Sequence, residues 1–151
     1  MGHNVVLIDD LLSIDFENGY ADITIGEHSN RFLCKKEDEE ILLHIMDVIA
    51  NCRGLYGTDL VDVECVFEQC TNHRFLVYSD QRPDMEKTQL PGSESKAAIL
   101  FVIGSVEMGL CEVNRIIEEV VQCYPEDTGI IFSAENSDTI PDGSYTLCVL
   151  E

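Results

Sequence analysis

The apolar run at residues 96–104 is the feature that most constrains how this chain folds. Its sequence is KAAILFVIG, with no polar residue after the lysine. A continuous apolar run of this length is typical of a strand that is buried on both faces, as the central strands of α/β sheets are. Such a strand needs other layers to cover it. The sequence therefore predicts a layered α/β or α+β domain.

Segments with helical periodicity are predicted to form the helices that pack on this strand and bury it. Residues 37–52 begin with acidic side chains, which favour the positive end of a helix dipole, and continue with a wide apolar stripe. Residues 109–124 carry a second amphipathic pattern that ends before Pro125. A third, shorter helix is predicted within residues 60–70.

The remaining elements are short strands and one long loop. Asn18-Gly19 is a turn dipeptide, so we expect an N-terminal β-hairpin made by strands 4–8 and 20–26. Residues 80–95 are rich in proline, glycine and polar side chains and are predicted to form a surface loop. Further strands are predicted at 74–79, 129–135 and 144–151. The predicted fold class is α/β (an α+β sandwich), with a mixed four-stranded sheet and packed helices after the hairpin.

The net charge of −20, from 29 acidic and 9 basic side chains, limits the partners of the chain. A field this negative repels phosphate backbones and anionic lipids, so we expect no nucleic-acid and no membrane partner. Basic protein surfaces and divalent cations are the groups that it attracts, although the charge can also serve solubility alone. No apolar run reaches the ~20 residues of a membrane span, and no signal pattern opens the chain.

The cysteines and histidines form no recognisable metal or catalytic set. The seven cysteines are scattered without a CxxC pair, and we expect them to be buried and reduced, as in a cytoplasmic protein. We interpret His28 as a lone surface residue. We interpret His44 as a histidine that is packed in the apolar stripe of the helix at 37–52 or lies at the rim of that stripe. Cys70 and His73 are close in sequence, but nothing orients one toward the other. We therefore predict no catalytic residue and no metal site.

Four segments follow one another in an order that resembles a known family. They are EEILLHIMDVIANCRG (39–54), GLYGTDLVDV (54–63), AAILFVIG with GLCEVNRIIEEV (97–120), and EDTGIIFSAENSDTIPDGSYTLCVLE (126–151). They resemble the central helix, the synergy loop, a strand–loop–helix unit and the closing strand pair of FtsZ, the tubulin-related GTPase of bacterial cell division. The resemblance implies an FtsZ C-terminal-like domain at 37–151, including a central-type helix at 37–52, and an N-terminal hairpin extension at 1–36.

The nucleotide-binding half of that family has no counterpart in this sequence. The glycine-rich signature GGGTGTG is absent, and residues 1–36 contain no phosphate-binding loop. The resemblance therefore implies a domain that lacks the GTPase part. We expect no cofactor and no enzymatic activity of its own.

The resemblance also implies an interface. In FtsZ, the synergy loop of one subunit enters the nucleotide pocket of the next. Gly57 stands where the family has asparagine. Because glycine removes a polar group from the loop, a docking role is favoured over catalysis in the nucleotide pocket of a neighbouring subunit. The alternative is structural: Asp59 caps a helix and Asp62 lies near its positive dipole end. The residues that match the loop are Gly54, Leu55, Gly57, Asp59 and Asp62.

The expected function is that of a non-enzymatic, FtsZ-like interaction module in the cytoplasm. It would bind or regulate a filament-forming partner of the FtsZ or tubulin type, or assemble as a homo-oligomer. Two alternatives stay open at this point. One is a structural or oligomerisation domain that has lost the filament interface, and the other is an uncharacterised enzyme with its active site at an oligomer interface.

Overall fold

The computed structural model of the protein describes residues 3–51, 60–71, 73–79 and 96–151. The strands are β1 (His3–Ile8), β2 (Leu12–Glu17), β3 (Tyr20–Ile25), β4 (His28–Leu33), β5 (Phe75–Ser79), β6 (Ala97–Gly104), β7 (Gly129–Asn136) and β8 (Tyr145–Leu150). The helices are α1 (Glu39–Ala50), α2 (Leu60–Phe67) and α3 (Leu110–Val121), and a 3-10 turn at Lys36–Asp38 precedes α1. None of the helices in these ranges is long and apolar enough to cross a membrane.

The N-terminal sheet is an antiparallel meander in the order β1-β2-β3-β4. The predicted turn at Asn18-Gly19 is confirmed, since both residues have positive φ, +52° and +83°, and connect β2 to β3. The predicted pairing of strand 4–8 with strand 20–26 is wrong, because each of them pairs with β2 instead. β2 and β4 are not among the predicted strands, although apolar and polar residues alternate strictly along β2.

The second sheet is mixed and has the order β5-β8-β6-β7. β6 runs parallel to β7 and antiparallel to β8, which is also antiparallel to β5. β6 is buried along nearly its whole length, as its apolar run predicts. Parallel neighbours need a crossover connection, and α3 supplies it between β6 and β7. This arrangement confirms the predicted fold class of a mixed four-stranded sheet with packed helices.

Helices α1 and α2 lie between the two sheets within one apolar core. α1 contacts β1 and β2 on one side, and on the other it lines a very small cavity with β5, β6 and β8. The core extends from Ile14 and Ile23 of the N-terminal sheet to Phe101 and Leu150 of the second sheet. A second core lies on the opposite face of the mixed sheet, under α3. The core thus contains residues from both sides of the predicted boundary at residue 36.

The cysteines divide into two groups. The six within the described residues form no disulfide. Burial raises the pKa of Cys34 and of Cys70 to about 12, so both thiols stay protonated near neutral pH. The expectation of buried cysteines is correct for Cys34, Cys70 and Cys148 and wrong for Cys65, Cys111 and Cys123, which are exposed.

An ion pair between the partly exposed Arg74 and the buried Glu151 connects the start of β5 to the end of β8. The Glu151 side chain is 0% exposed, and its two carboxylate oxygens accept hydrogen bonds from Arg74 Nε and Tyr124 Oη, each at 2.7 Å. Burial, together with the hydrogen bond to Glu151, raises the pKa of the Tyr124 hydroxyl. The phenol therefore remains a donor, and the buried carboxylate keeps its two partners.

We predict that Phe32→Ala lowers the free energy of unfolding by about 3–5 kcal/mol, the range for deleting a buried phenylalanine ring. Phe32 of β4 is fully buried, and its ring centroid lies 5.7 Å from that of Phe67 on α2. Urea unfolding followed by circular dichroism measures the change. Val106→Ala is the control, because Val106 is 62% exposed and its truncation leaves no cavity. Equal losses in the two variants would contradict the proposed packing.

We predict that Tyr124→Phe lowers the free energy of unfolding by about 1.5–3 kcal/mol, because it removes a hydrogen bond to a charged and buried acceptor. The same urea titration measures the loss. Tyr20→Phe deletes the same hydroxyl from a side chain that is 38% exposed, and we expect little change. A Tyr124→Phe protein as stable as the parent chain would show that the hydroxyl contributes nothing.

Candidate functional site

The interface residues that the sequence predicts lie at and before the start of α2. Gly54, Leu55, Gly57 and Asp59 fall outside the described residues, so their arrangement and the capping role of Asp59 stay predictions. Asp62 is described: it is exposed and lies in the first turn of α2, as predicted. A carboxylate there is favoured by the helix dipole.

One side of α2 is fixed by burial. Val63 and Phe67 are both 0% exposed and belong to the core between the sheets. Asn30 of β4 adds a polar contact, since its side-chain amide donates to the Phe67 carbonyl at 3.4 Å. These contacts hold α2 against the N-terminal sheet. Asp62 therefore lies on a helix whose next residue, Val63, is fixed in the core.

The flank of α2 nearest the β3–β4 turn carries two glutamates that converge on one histidine. His28 Nδ1 lies 2.8 Å from Glu64 Oε1, and His28 Nε2 lies 3.0 Å from Glu68 Oε1. The Glu68 backbone N–H donates to the Glu64 carbonyl at 3.1 Å, so helical geometry continues past the end of α2 and keeps both side chains on one face. We call His28, Glu64 and Glu68 the His–Glu cluster.

The turn between β3 and β4 brings this cluster together. Gly26 has φ of +60°, a left-handed backbone conformation that residues other than glycine rarely adopt. A Cβ atom at residue 26 would also lie 2.9 Å from Glu64 Oε1. Glycine at this position therefore serves two purposes: it permits the turn, and it leaves room for the Glu64 carboxylate beside it.

The electrostatics of the cluster favour a protonated histidine. Each imidazole nitrogen faces a carboxylate, and only the imidazolium can donate from both nitrogens. The hydrogen bond to Glu64 raises the pKa of His28 above its ordinary value of 6.5, and the negative charges of Glu68 and Glu27 act in the same direction. The protonated ring can therefore pair with both glutamates at once and join them to the β3–β4 turn.

An open cavity of about 430 Å³ lies beside the cluster. Its wall includes the Cys70 thiol, whose raised pKa makes it a poor nucleophile. His73, on the same wall, has a positive φ of +56°. The lining residues are His28, Ser29, Asn30, Phe67, Glu68, Cys70 and His73. Cys70 and His73 therefore line one cavity, which their spacing in the sequence does not predict.

His44, predicted from the sequence to be a packed or rim histidine, lies within α1. His44 is about half exposed, and its Nε2 pairs with Glu135 of β7. The alternative of a histidine at the rim of the stripe is thus the correct one. His28 differs from the prediction of a lone residue: its partners are 36 and 40 residues away in sequence. The i, i+4 spacing of Glu64 and Glu68 is visible in the sequence, but their contact with His28 is not.

Comparisons with known proteins identify a shared fold. No family model matches the sequence, and no curated protein matches it. Among solved structures, an empty FtsZ dimer from M. jannaschii aligns over 74% of this chain and 38% of its own, with TM-score 0.51 and 14% identity. A tryptophan-to-tyrosine mutant of M. jannaschii FtsZ aligns over 76% of this chain and 39% of its own, with TM-score 0.54 and 18% identity.

These matches confirm the FtsZ-like fold that the order of the sequence segments predicts. The chain spans less than two-fifths of the length of the FtsZ chains that it matches. Identities of this size show the fold alone. The partner, activity and role of this chain are separate questions.

We predict that the His28 imidazole titrates with a pKa above 6.5, which an NMR titration of the histidine ring protons measures. Because the raised pKa stabilises the charged form in the folded state, the contribution of His28 to stability is present below pH 6.5 and is lost as the pH rises through the folded pKa. Glu64→Gln removes the largest cause and should lower the pKa most. Glu119→Gln, a distant exposed carboxylate on α3, should leave it unchanged. A His28 pKa at or below 6.5 would show that the contacts do not persist in solution.

Proposed function

We propose that this protein is a non-enzymatic, FtsZ-like interaction module that binds or regulates a filament-forming partner of the FtsZ or tubulin type, or assembles with itself. The observation that carries this proposal is the likeness to FtsZ over about three-quarters of this chain but less than two-fifths of FtsZ. One of those FtsZ structures is a dimer. The sequence resemblance assigns the segment around Asp59 and Asp62 to the surface through which FtsZ subunits meet.

The start of α2 has the physical properties of a docking surface. Asp62 is exposed, while Val63 on the next position is buried and the His–Glu cluster holds the adjacent flank. A surface that is rigid before binding loses less conformational entropy on docking than a mobile one. The negative charge of Asp62 and of the whole chain favours a basic partner surface or a contact bridged by cations.

The mode of regulation follows from which half of the contact this chain provides. An FtsZ filament contact needs a loop on one subunit and a nucleotide pocket on the next. The sequence contains the loop-like segment and no nucleotide signature. Binding to FtsZ through the loop-like segment would fill the filament end at which this contact normally adds the next subunit, so we propose capping rather than growth.

A second candidate is a structural or oligomerisation domain without a filament interface. The observation that favours it is the four-stranded N-terminal sheet, which covers α1 and α2 and shares their core. In that case the chain would form a defined homo-oligomer and would not affect FtsZ. Light scattering coupled to size exclusion, with and without FtsZ, distinguishes the two candidates.

We predict that the full chain lowers the amount of FtsZ that sediments with GTP, at less than one copy per FtsZ, because capping acts on filament ends. Replacing Asp59 and Asp62 together with alanine should abolish most of this effect. The matched control is Glu112→Ala, because Glu112 is an exposed acidic residue in the first turn of α3. Pelleting that is unchanged by the parent chain, or lowered equally by the double variant, would refute the capping proposal.

A further inference from the structure

The His–Glu cluster combines ligand types that divalent transition metals prefer. We propose that His28, Glu64 and Glu68 bind one such ion, best matched by Zn²⁺, which joins the β3–β4 turn to α2. One ligand atom from each of the three residues can be chosen so that all lie within 4.8 Å of one another. Within the described ranges, no other group of three or more His, Cys, Asp or Glu residues meets this condition.

The distances are compatible with a zinc site after small side-chain rotations. Zn–N and Zn–O bonds are about 2.0–2.2 Å long, so ligand atoms in a tetrahedral site lie roughly 3.5 Å apart. Since no two of the three ligand atoms are more than 4.8 Å apart, only small rotations are needed to reach this spacing. The side chains of His28 and Glu68 are 46% and 40% exposed, and that of Glu64 is 25% exposed, which leaves them free to rotate.

The backbone places the two glutamates on either side of the His28 ring. A metal ion takes only one ring nitrogen, so one glutamate must turn toward that nitrogen. Glu64 and Glu68 occupy i and i+4 positions of one helical face. His28 is the first residue of β4, immediately after the Gly26–Glu27 turn. The absence of a side chain at Gly26 provides the space that the Glu64 carboxylate occupies, since a Cβ atom there would lie 2.9 Å from it.

The charge balance also fits a divalent ion. Two carboxylates neutralise a 2+ charge, and a chain of net charge −20 attracts cations. An imidazole ligand favours Zn²⁺, Co²⁺ or Ni²⁺ over Mg²⁺ and Ca²⁺, which prefer oxygen ligands alone. The nearby Cys70 thiol is buried and protonated, so the site offers nitrogen and oxygen rather than thiolate.

The ion would replace a proton. The imidazolium that holds both glutamates must release one proton to solvent before one of its nitrogens can bind the metal. The titratable groups around His28 are Glu27, Glu64 and Glu68, with His73 in the adjoining cavity. Because protons and the metal compete for the same ligand atoms, affinity for the metal should fall as the pH is lowered.

The test is isothermal titration calorimetry of the full chain with zinc chloride near neutral pH, in a phosphine reductant that keeps thiols reduced. We expect one ion per chain at this site and the release of one proton, read from buffers of different ionisation enthalpy. His28→Gln and Glu68→Gln should each weaken binding at least about 10-fold, since losing even an outer partner of a metal ligand has that effect.

Matched variants separate this site from other ligands on the surface. His44→Gln removes a half-exposed histidine that pairs with a single glutamate, and Cys65→Ser removes the exposed thiol of α2. Both should bind zinc like the parent chain. Zinc should also raise the melting temperature of the parent chain and not that of a Glu64→Gln, Glu68→Gln double variant, because the ion joins two elements.

Several outcomes would overturn the proposal: no zinc binding, binding that His28→Gln and Glu68→Gln leave unchanged, or binding that Cys65→Ser abolishes. Circular dichroism checks that each variant is folded. If His28→Gln fails to fold, the exposed Glu68→Gln variant decides. The titration contains no FtsZ, so its result is independent of the capping proposal.

Discussion

Burial of one face of each sheet against the same two helices is the interaction on which this structure depends. α1 can serve both sheets because its buried residues cover a wide arc. α2 is only eight residues long, yet it contributes the fully buried Val63 and Phe67 to the same core. The N-terminal sheet therefore has no separate apolar core within the described residues. Any change that loosens α1 or α2 exposes apolar surface on two sheets at once.

Local periodicity explains which elements the sequence could predict. The apolar run of β6 and the helical patterns of α1 and α3 depend on residues within one segment, and their predicted bounds agree with the structure within three residues. β1 and β2 are consecutive in the chain, and β2 alternates apolar and polar residues as a half-buried strand does. Its absence from the predicted strands therefore reflects a missed local pattern and not a missing signal. The three exposed cysteines were mispredicted for a different reason: an apolar pattern does not reveal how much of a helix its neighbours cover.

In the candidate sites too, local sequence patterns do not show which distant residues come into contact. The position of Asp62 in the first turn of α2 follows from local spacing and could be predicted. The His–Glu cluster could not, because it forms only when the β3–β4 turn lies against α2, and that contact depends on the packing of Phe32 on Phe67. The likeness to FtsZ could be predicted from the order of segments. At 14–18% identity, that order carries more information than any single motif does.

The left-handed turn at Gly26 has a consequence for how this sequence can change over time. Two constraints act on the same position, one from its φ of +60° and one from the Glu64 carboxylate 2.9 Å from where a Cβ would lie. Replacing Glu64 by a smaller residue relieves only the second constraint. Asparagine or aspartate, which tolerate left-handed backbone, are the residues best able to replace Gly26. Either one would displace the Glu64 carboxylate from its place beside the turn, so a change at residue 26 would alter a contact made 38 residues away.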